Sequence, residues 1–104
     1  EPKALKRTCV AQNGKASWYR GAQKTANGEN YNENDLTAAH KTIPFHSLVK
    51  VTYKGRSVVV RINDAGPYIS GRVIDLSRAA AKAIGIIEKG VANVQVQILR
   101  CGRG

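Results

Sequence analysis

Thr25-Ala26-Asn27-Gly28-Glu29, Leu36-Thr37-Ala38-Ala39-His40, Asn63-Asp64-Ala65-Gly66-Pro67 and Gly71-Arg72-Val73-Ile74-Asp75-Leu76-Ser77 follow one another along the chain. These four stretches decide how the rest is read. Each carries an ionisable side chain, Glu29, His40, Asp64 or Asp75, at the edge of a regular element. Turn-forming neighbours there hold a side chain at a surface rather than inside.

Working outward, Gly14 to Tyr19 is a short strand candidate, and Asn27-Gly28 and Asn30 to Asp35 are polar turn material. The clearest strands are Leu48–Tyr53 and Ser57–Ile62, joined by a hairpin turn at Tyr53-Lys54-Gly55-Arg56. Their β-branched alternation puts Val58, Val60 and Ile62 on one face. Val94 to Ile98 alternates strictly, as a half-buried closing strand does. One helix is expected, from Asp75 to Ile84: Ser77 or Asp75 can cap it, an alanine run favours it and Gly85 stops it. Short strands with one helix fit a small closed β-barrel, which leaves no free edge.

The sequence has 104 residues, enough for one small domain whose core is modest. Residues 1–13 read as a basic tail that becomes ordered near Cys9, and residues 14–101 as the barrel. Cys9 and Cys101 are the only cysteines. Two isolated cysteines without CxxC spacing argue against a redox or metal site. They fit a structural disulfide between the first and last strands, closing a loop of about 90 residues and contributing on the order of 4 kcal/mol. Such a bond belongs outside the cytosol. The opening Glu1-Pro2-Lys3 has no apolar stretch behind a basic start, and nothing later reaches the length of a membrane span. A mature or trimmed form without lipid attachment at Cys9 is therefore expected.

Seventeen Lys and Arg against seven Asp and Glu give a net charge of +10. A charge of that size attracts polyanions: nucleic acid, anionic membrane or bacterial wall. The cations are scattered, at Lys15, Lys24, Lys41, Lys50, Arg61, Arg72 and Lys89, with no aromatic-rich strand of the kind that binds RNA. A specific nucleic-acid partner is not expected, and a wall of anionic polymers fits an exported protein better.

In their order, the four motifs resemble the double-psi β-barrel domain of the rare lipoprotein A family, over about Gly14 to Leu99. The resemblance implies a six-stranded barrel acting on peptidoglycan in the bacterial envelope, periplasmic or secreted. It implies a monomer without metal or cofactor. The implied activity is that of a lytic transglycosylase, cleaving between N-acetylmuramic acid and N-acetylglucosamine. In that reaction the sugar's own 6-hydroxyl displaces the leaving group and closes a 1,6-anhydro ring, so one residue serves as acid and then as base. This departs from the two-carboxylate scheme of hydrolases.

Glu29 and His40 match the positions regarded as essential in that family. Asp64 and Asp75, eleven apart, resemble the aspartate pair of expansins and of membrane-bound lytic transglycosylase A, where the second aspartate is taken as the acid. The catalytic set implied is therefore Glu29, His40, Asp64 and Asp75, with either Glu29 or Asp75 as the general acid. Trp18, Tyr19, Tyr31 and Tyr68 are candidates for sugar stacking and desolvation, and Thr25, Asn27 and Arg72 for polar contacts. A general acid at neutral pH needs a raised pKa, which a +10 protein opposes unless desolvation or a second carboxylate prevails.

The chain departs from the family pattern in two places. Arg20 to Lys24 is shorter than the usual loop and lacks its aromatic. Ala65 and Tyr68 stand in Asp64-Ala65-Gly66-Pro67-Tyr68 where relatives commonly have arginine and phenylalanine. The second, glycan-binding module that such proteins often carry is not expected here. Two other readings remain open at this stage: a non-catalytic, expansin-like wall-binding module, and a secreted double-psi-barrel inhibitor of cysteine proteases.

The charge makes a prediction of its own. Retention on purified sacculi should weaken by about tenfold or more between low salt and 0.5 M salt, because screening shortens the reach of exposed charges. Salt-independent retention in a pull-down series would contradict a charge-led association.

Overall fold

The hairpin that the alternation predicts is the firmest part of the barrel. β3 (Leu48–Tyr53) and β4 (Arg56–Asp64) pair antiparallel from Leu48 opposite Arg61 to Tyr53 opposite Arg56. Lys54 and Gly55 turn between them, both at positive φ, 48° and 82°, as a tight turn matched to strand twist requires. The computed structural model describes residues 8–19 and 24–103.

Around the hairpin stand β1 (Gly14–Trp18), β2 (Thr37–His40), β5 (Arg72–Leu76) and β6 (Ala92–Arg100), with α1 (Arg78–Ile84) between the last two. The strands close in the order β1-β5-β2-β4-β3-β6. β1 with β5 and β2 with β4 are parallel; the other neighbouring pairs are antiparallel. The result is the closed, six-stranded mixed barrel that the sequence led us to expect. Val58, Val60 and Ile62 point inward as the alternation requires, meeting Val49, Val51, Ile74, Leu76, Ile84, Ile86, Val94 and Val96. Among the described residues no helix is long and apolar enough to cross a membrane.

Two strands were not visible as strands in the sequence. β2 is buried at all four residues, so it shows no polar and apolar alternation. β5 was read in part as the start of the helix, which begins only at Arg78. Asp75 is therefore a strand residue, because Ser17 of β1 and Ala39 of β2 pair with it from both sides, and two ladders outweigh the helix propensity of the alanines that follow. The cap is Ser77. Its hydroxyl accepts the Ala80 N–H at 3.2 Å and donates to the Asp35 carbonyl at 2.6 Å. Gly85, at φ 81°, closes the helix in the left-handed conformation, its N–H bonded to the Ala81 and Lys82 carbonyls.

Cys9 and Cys101 form a disulfide with Cα atoms 5.9 Å apart, within the usual range. The bond lies just outside the first and last strands rather than between them: Cys9 precedes β1 and Cys101 follows β6 directly. Nearby, Thr8 donates its N–H to the Thr42 carbonyl and Gly102 donates its own to the Ser47 hydroxyl. The first seven residues of the basic tail lie outside the described residues.

The unreduced protein should have an intact mass lower by two hydrogens than the reduced protein, and no alkylatable thiol. Reduction should cost about 2–5 kcal/mol and lower the melting temperature by about 10 °C or more. Two freely alkylated thiols in the native protein would contradict the bond.

Candidate active site

Strand register assembles the site. Asp64 at the end of β4 pairs with Ala39 of β2, Ala39 pairs on its other side with Asp75 of β5, and Asp75 pairs with Ser17 of β1. Residues paired across neighbouring strands share a face. Asp64, Ala39, Asp75 and Ser17 thus form one row, with the alanine methyl as the floor between two carboxylates. Two strand spacings put the aspartate Cα atoms about 10 Å apart. The register shifts between Ala38 and Ala39, which face Ile62 and Asp64. Asn63 is the extra residue, and this bulge lets Asn63 and Asp64 serve different partners.

Asp64 is fixed by three donors. The Ala26 and Ala65 N–H groups both reach Oδ1 at 2.8 Å, and the Tyr19 hydroxyl reaches Oδ2 at 3.3 Å. Tyr19 stacks on Tyr31 with centroids 4.7 Å apart and planes at 27°. The Tyr31 hydroxyl donates to the Tyr19 carbonyl at 2.7 Å and accepts the Arg78 N–H at 3.3 Å. Burial, then the Asp64 charge, pushes the Tyr19 phenol far above its ordinary range, so it stays a neutral donor.

Asp75 is half-buried and accepts one hydrogen bond from the Ser17 hydroxyl, at 2.9 Å. Burial raises its pKa and the Asp64 charge adds to the rise; the Ser17 hydroxyl and Arg72 oppose it without cancelling it. Local desolvation with a neighbouring carboxylate thus prevails over the net positive charge. Burial and a nearby carboxylate are the two effects that a candidate general acid needs.

Glu29 is in the opposite state. Arg61 grips it bidentately, Nη1 to Oε2 at 2.7 Å and Nη2 to Oε1 at 2.8 Å, while the Asn63 and Asn27 amides donate to it at 3.1 and 3.0 Å. The Arg61 hydrogen bonds lead the shift that lowers its pKa to about 2, with the two asparagine amides adding. Such a carboxylate does not hold a proton near neutrality. What it holds is a loop. The Glu29 N–H and the Thr25 hydroxyl both donate to Asn27 Oδ1, at 3.1 and 2.6 Å. The Thr25 N–H donates to the Glu29 carbonyl at 2.7 Å and the Asn27 N–H to the Asn63 carbonyl at 3.3 Å. Within that loop sits Ala26, whose N–H binds Asp64.

His40 is buried, and its Nδ1 accepts the N–H groups of Thr42 and Ile43, each at 3.1 Å. With Nδ1 an acceptor, the proton of the neutral ring resides on Nε2. His40 is the residue after Ala39 and pairs with Ile74; its ring fixes the turn that ends β2. Trp18 is half-buried against the core, with its indole N–H donated to the Ile87 carbonyl at 3.2 Å, so packing occupies the side chain read as a stacking candidate. Tyr68 is 57% exposed and Ile69 54%. Arg72 lies close enough to Asp75 to act on its pKa. The short loop Arg20–Gln23 lies outside the described residues, which contain no group of three or more His, Cys, Asp or Glu placed to hold a metal ion.

The sequence reading missed Ser17, Ala39, Arg61 and Asn63. The alternation of Arg61-Ile62-Asn63 carried a signal for two of them, since it puts both polar residues on the face of β4 opposite Ile62, where Asn63 is buried against Glu29. Arg61 had been counted among scattered surface charges.

This strand order with its paired aspartates defines a double-psi β-barrel. A papain inhibitor from Streptomyces superposes with a TM-score of 0.75 at 22% identity, over 86% of this chain and 94% of that one. An expansin from Clavibacter michiganensis gives 0.69 at 20%, over 88% and 52%. At such identities the likeness is one of fold. Residues 11–96 match the family model of the lytic transglycolase double-psi barrel, and the chain belongs to that family. A probable endolytic peptidoglycan transglycosylase RlpA from Synechocystis is 58% identical over 84% of this chain and 29% of its own length. The corresponding proteins of Pasteurella multocida and Pseudomonas aeruginosa PAO1 are 52% and 55% identical, over 89% and 81% of this chain. The chain spans about a third or less of these relatives.

The Glu29 network predicts a pH signature. A carboxylate whose pKa falls from about 4.5 to about 2 on folding stabilises the fold above the unfolded value, and that stabilisation is lost as pH falls through this window. Glu29→Gln should therefore flatten the acid limb of the stability curve between pH 4.5 and 2. At neutral pH it should cost about 1 kcal/mol, the modest figure reflecting solvent screening of a side chain 35% exposed. An unchanged acid limb in denaturant titrations would contradict the ion pair.

Proposed function

We propose that this site cuts peptidoglycan glycan strands between N-acetylmuramic acid and N-acetylglucosamine, as a lytic transglycosylase, with Asp75 as general acid and then base. The observation that carries this reading is the Asp64–Ala39–Asp75 row, in which one carboxyl is shielded and raised while the other is fixed by three donors. The names of the relatives, as peptidoglycan transglycosylases, support the substrate. An envelope location follows from the same reading, and the disulfide favours an oxidising compartment.

In the proposed reaction the Asp75 proton goes to the glycosidic oxygen as the bond from the muramic anomeric carbon breaks. The 6-hydroxyl of the same sugar then attacks that carbon, and its proton returns to Asp75. One C–O bond breaks, one forms, no water is consumed and the acid is regenerated. Asp64 supplies negative charge beside the developing oxocarbenium ion, and the neutral Tyr19 hydroxyl keeps it in place. Glu29, with Thr25 and Asn27, positions the Ala26 N–H. His40 positions the end of β2. Tyr68 offers an exposed ring for a sugar face, and Tyr31 supports Tyr19 from behind.

A second reading, a wall-binding module without turnover, draws on Ala65, which leaves no arginine beside Asp64. Incubation with purified sacculi separates the two. The wild type should release anhydro-muropeptides detectable by mass spectrometry. Asp75→Asn should reduce that release by about 1000-fold with sacculus binding retained, and His40→Ala should slow it less. Binding without any anhydro product from intact or peptide-stripped wall would favour the module.

A further inference from the structure

Beside α1 lies an open cavity of about 340 Å³, lined by Arg78, Lys82, Gly85, Ile87 and Glu88. Its volume falls within the range of small-ligand sites. Arg78 and Lys82 are one turn apart on the helix, so they project from one face. Neither forms an ion pair among the described residues, where the pair formed is Arg61 with Glu29. A third cation approaches from β4: a Cβ built on Gly85 would come within 2.8 Å of Arg56 Nη1, so this guanidinium lies across the bare glycine. Two cations thus line a space with one acid, Glu88, and a third lies against its Gly85.

The cavity is linked to the aspartate row by a chain of contacts. Its Arg78 donates its backbone N–H to the Tyr31 hydroxyl, Tyr31 stacks on Tyr19, and the Tyr19 hydroxyl meets Asp64. Beneath it, the Ile87 carbonyl is tied to the Trp18 indole, which gives the cavity a fixed wall.

We propose that this cavity is a carboxylate subsite of the substrate site, an inference that rests on the glycan-strand reading. Arg78 and Lys82, without an ion pair among the described residues, match an anionic substituent held by charge-assisted hydrogen bonds, with the arginine fork suited to a planar carboxylate. A peptidoglycan strand presents that chemistry from two sources: the lactyl carboxylate of N-acetylmuramic acid when the peptide is absent, and the acids of the peptide when it is attached.

The test is a backbone NMR titration with three probes: N-acetylmuramic acid, an N-acetylated alanyl-γ-glutamyl dipeptide, and neutral N-acetylglucosamine. At least one acid should shift the Gly85, Ile87 and Glu88 signals saturably while the neutral sugar does not; which acid does so identifies the source. The Arg78→Ala/Lys82→Ala double variant should bind it about tenfold more weakly. Arg56→Gln, which leaves α1 untouched, should weaken it several-fold. No shift with either acid, an equal shift with the neutral sugar, or unchanged affinity in both variants would overturn the subsite. Because the readout is binding, a protein that takes up the acid here yet releases no anhydro product refutes the catalytic reading and leaves the subsite standing.

Discussion

The four-residue strand Thr37–His40 bonds to β4 on one side and β5 on the other, and the site depends on that double pairing. Asp64 and Asp75 come from different strands with a turn and loop between them, and neither touches the other in sequence. Ala39 brings both into register. Its small side chain leaves room between the two carboxylates, and the bulge at Asn63 turns one polar residue toward Glu29 while its neighbour joins the row.

Two carboxylates in one +10 protein show which electrostatic effect decides. At ordinary salt, distant charges are screened within about 8–10 Å, so the net charge is a weak determinant at any one group. Glu29 is lowered by an arginine in bidentate contact. Asp75 is raised by burial, which outweighs the Ser17 hydroxyl and the nearby Arg72, with a lesser push from Asp64. Local contact and local desolvation settle each case. That division underlies the proposed roles: Glu29 shapes the loop that feeds a backbone donor to Asp64, and Asp75 is the proposed proton carrier.

Much of this was legible in the sequence. The β3–β4 hairpin, the closing strand, the Gly85 stop and the disulfide followed from alternation, turn chemistry and cysteine count, because each is a local signal. β2 was illegible as a strand since it is buried on both faces, and β5 since the alanine run beyond it favours helix; both are settled by pairing with distant partners. The acidic residues of the site were named by motif, but their division of labour was not. Whether a glutamate meets an arginine depends on residues 32 positions apart coming together across a loop. No spacing rule encodes that contact, nor the burial that raises Asp75.

The assignment of the proton is measured most directly by carbon-detected NMR titration of the side-chain carboxyls. Asp75 should titrate above the ordinary aspartate range, and Glu29 far below the ordinary glutamate range, near 2. Glu29 titrating above its ordinary value, with Asp75 at or below its own, would exchange their roles and contradict the account.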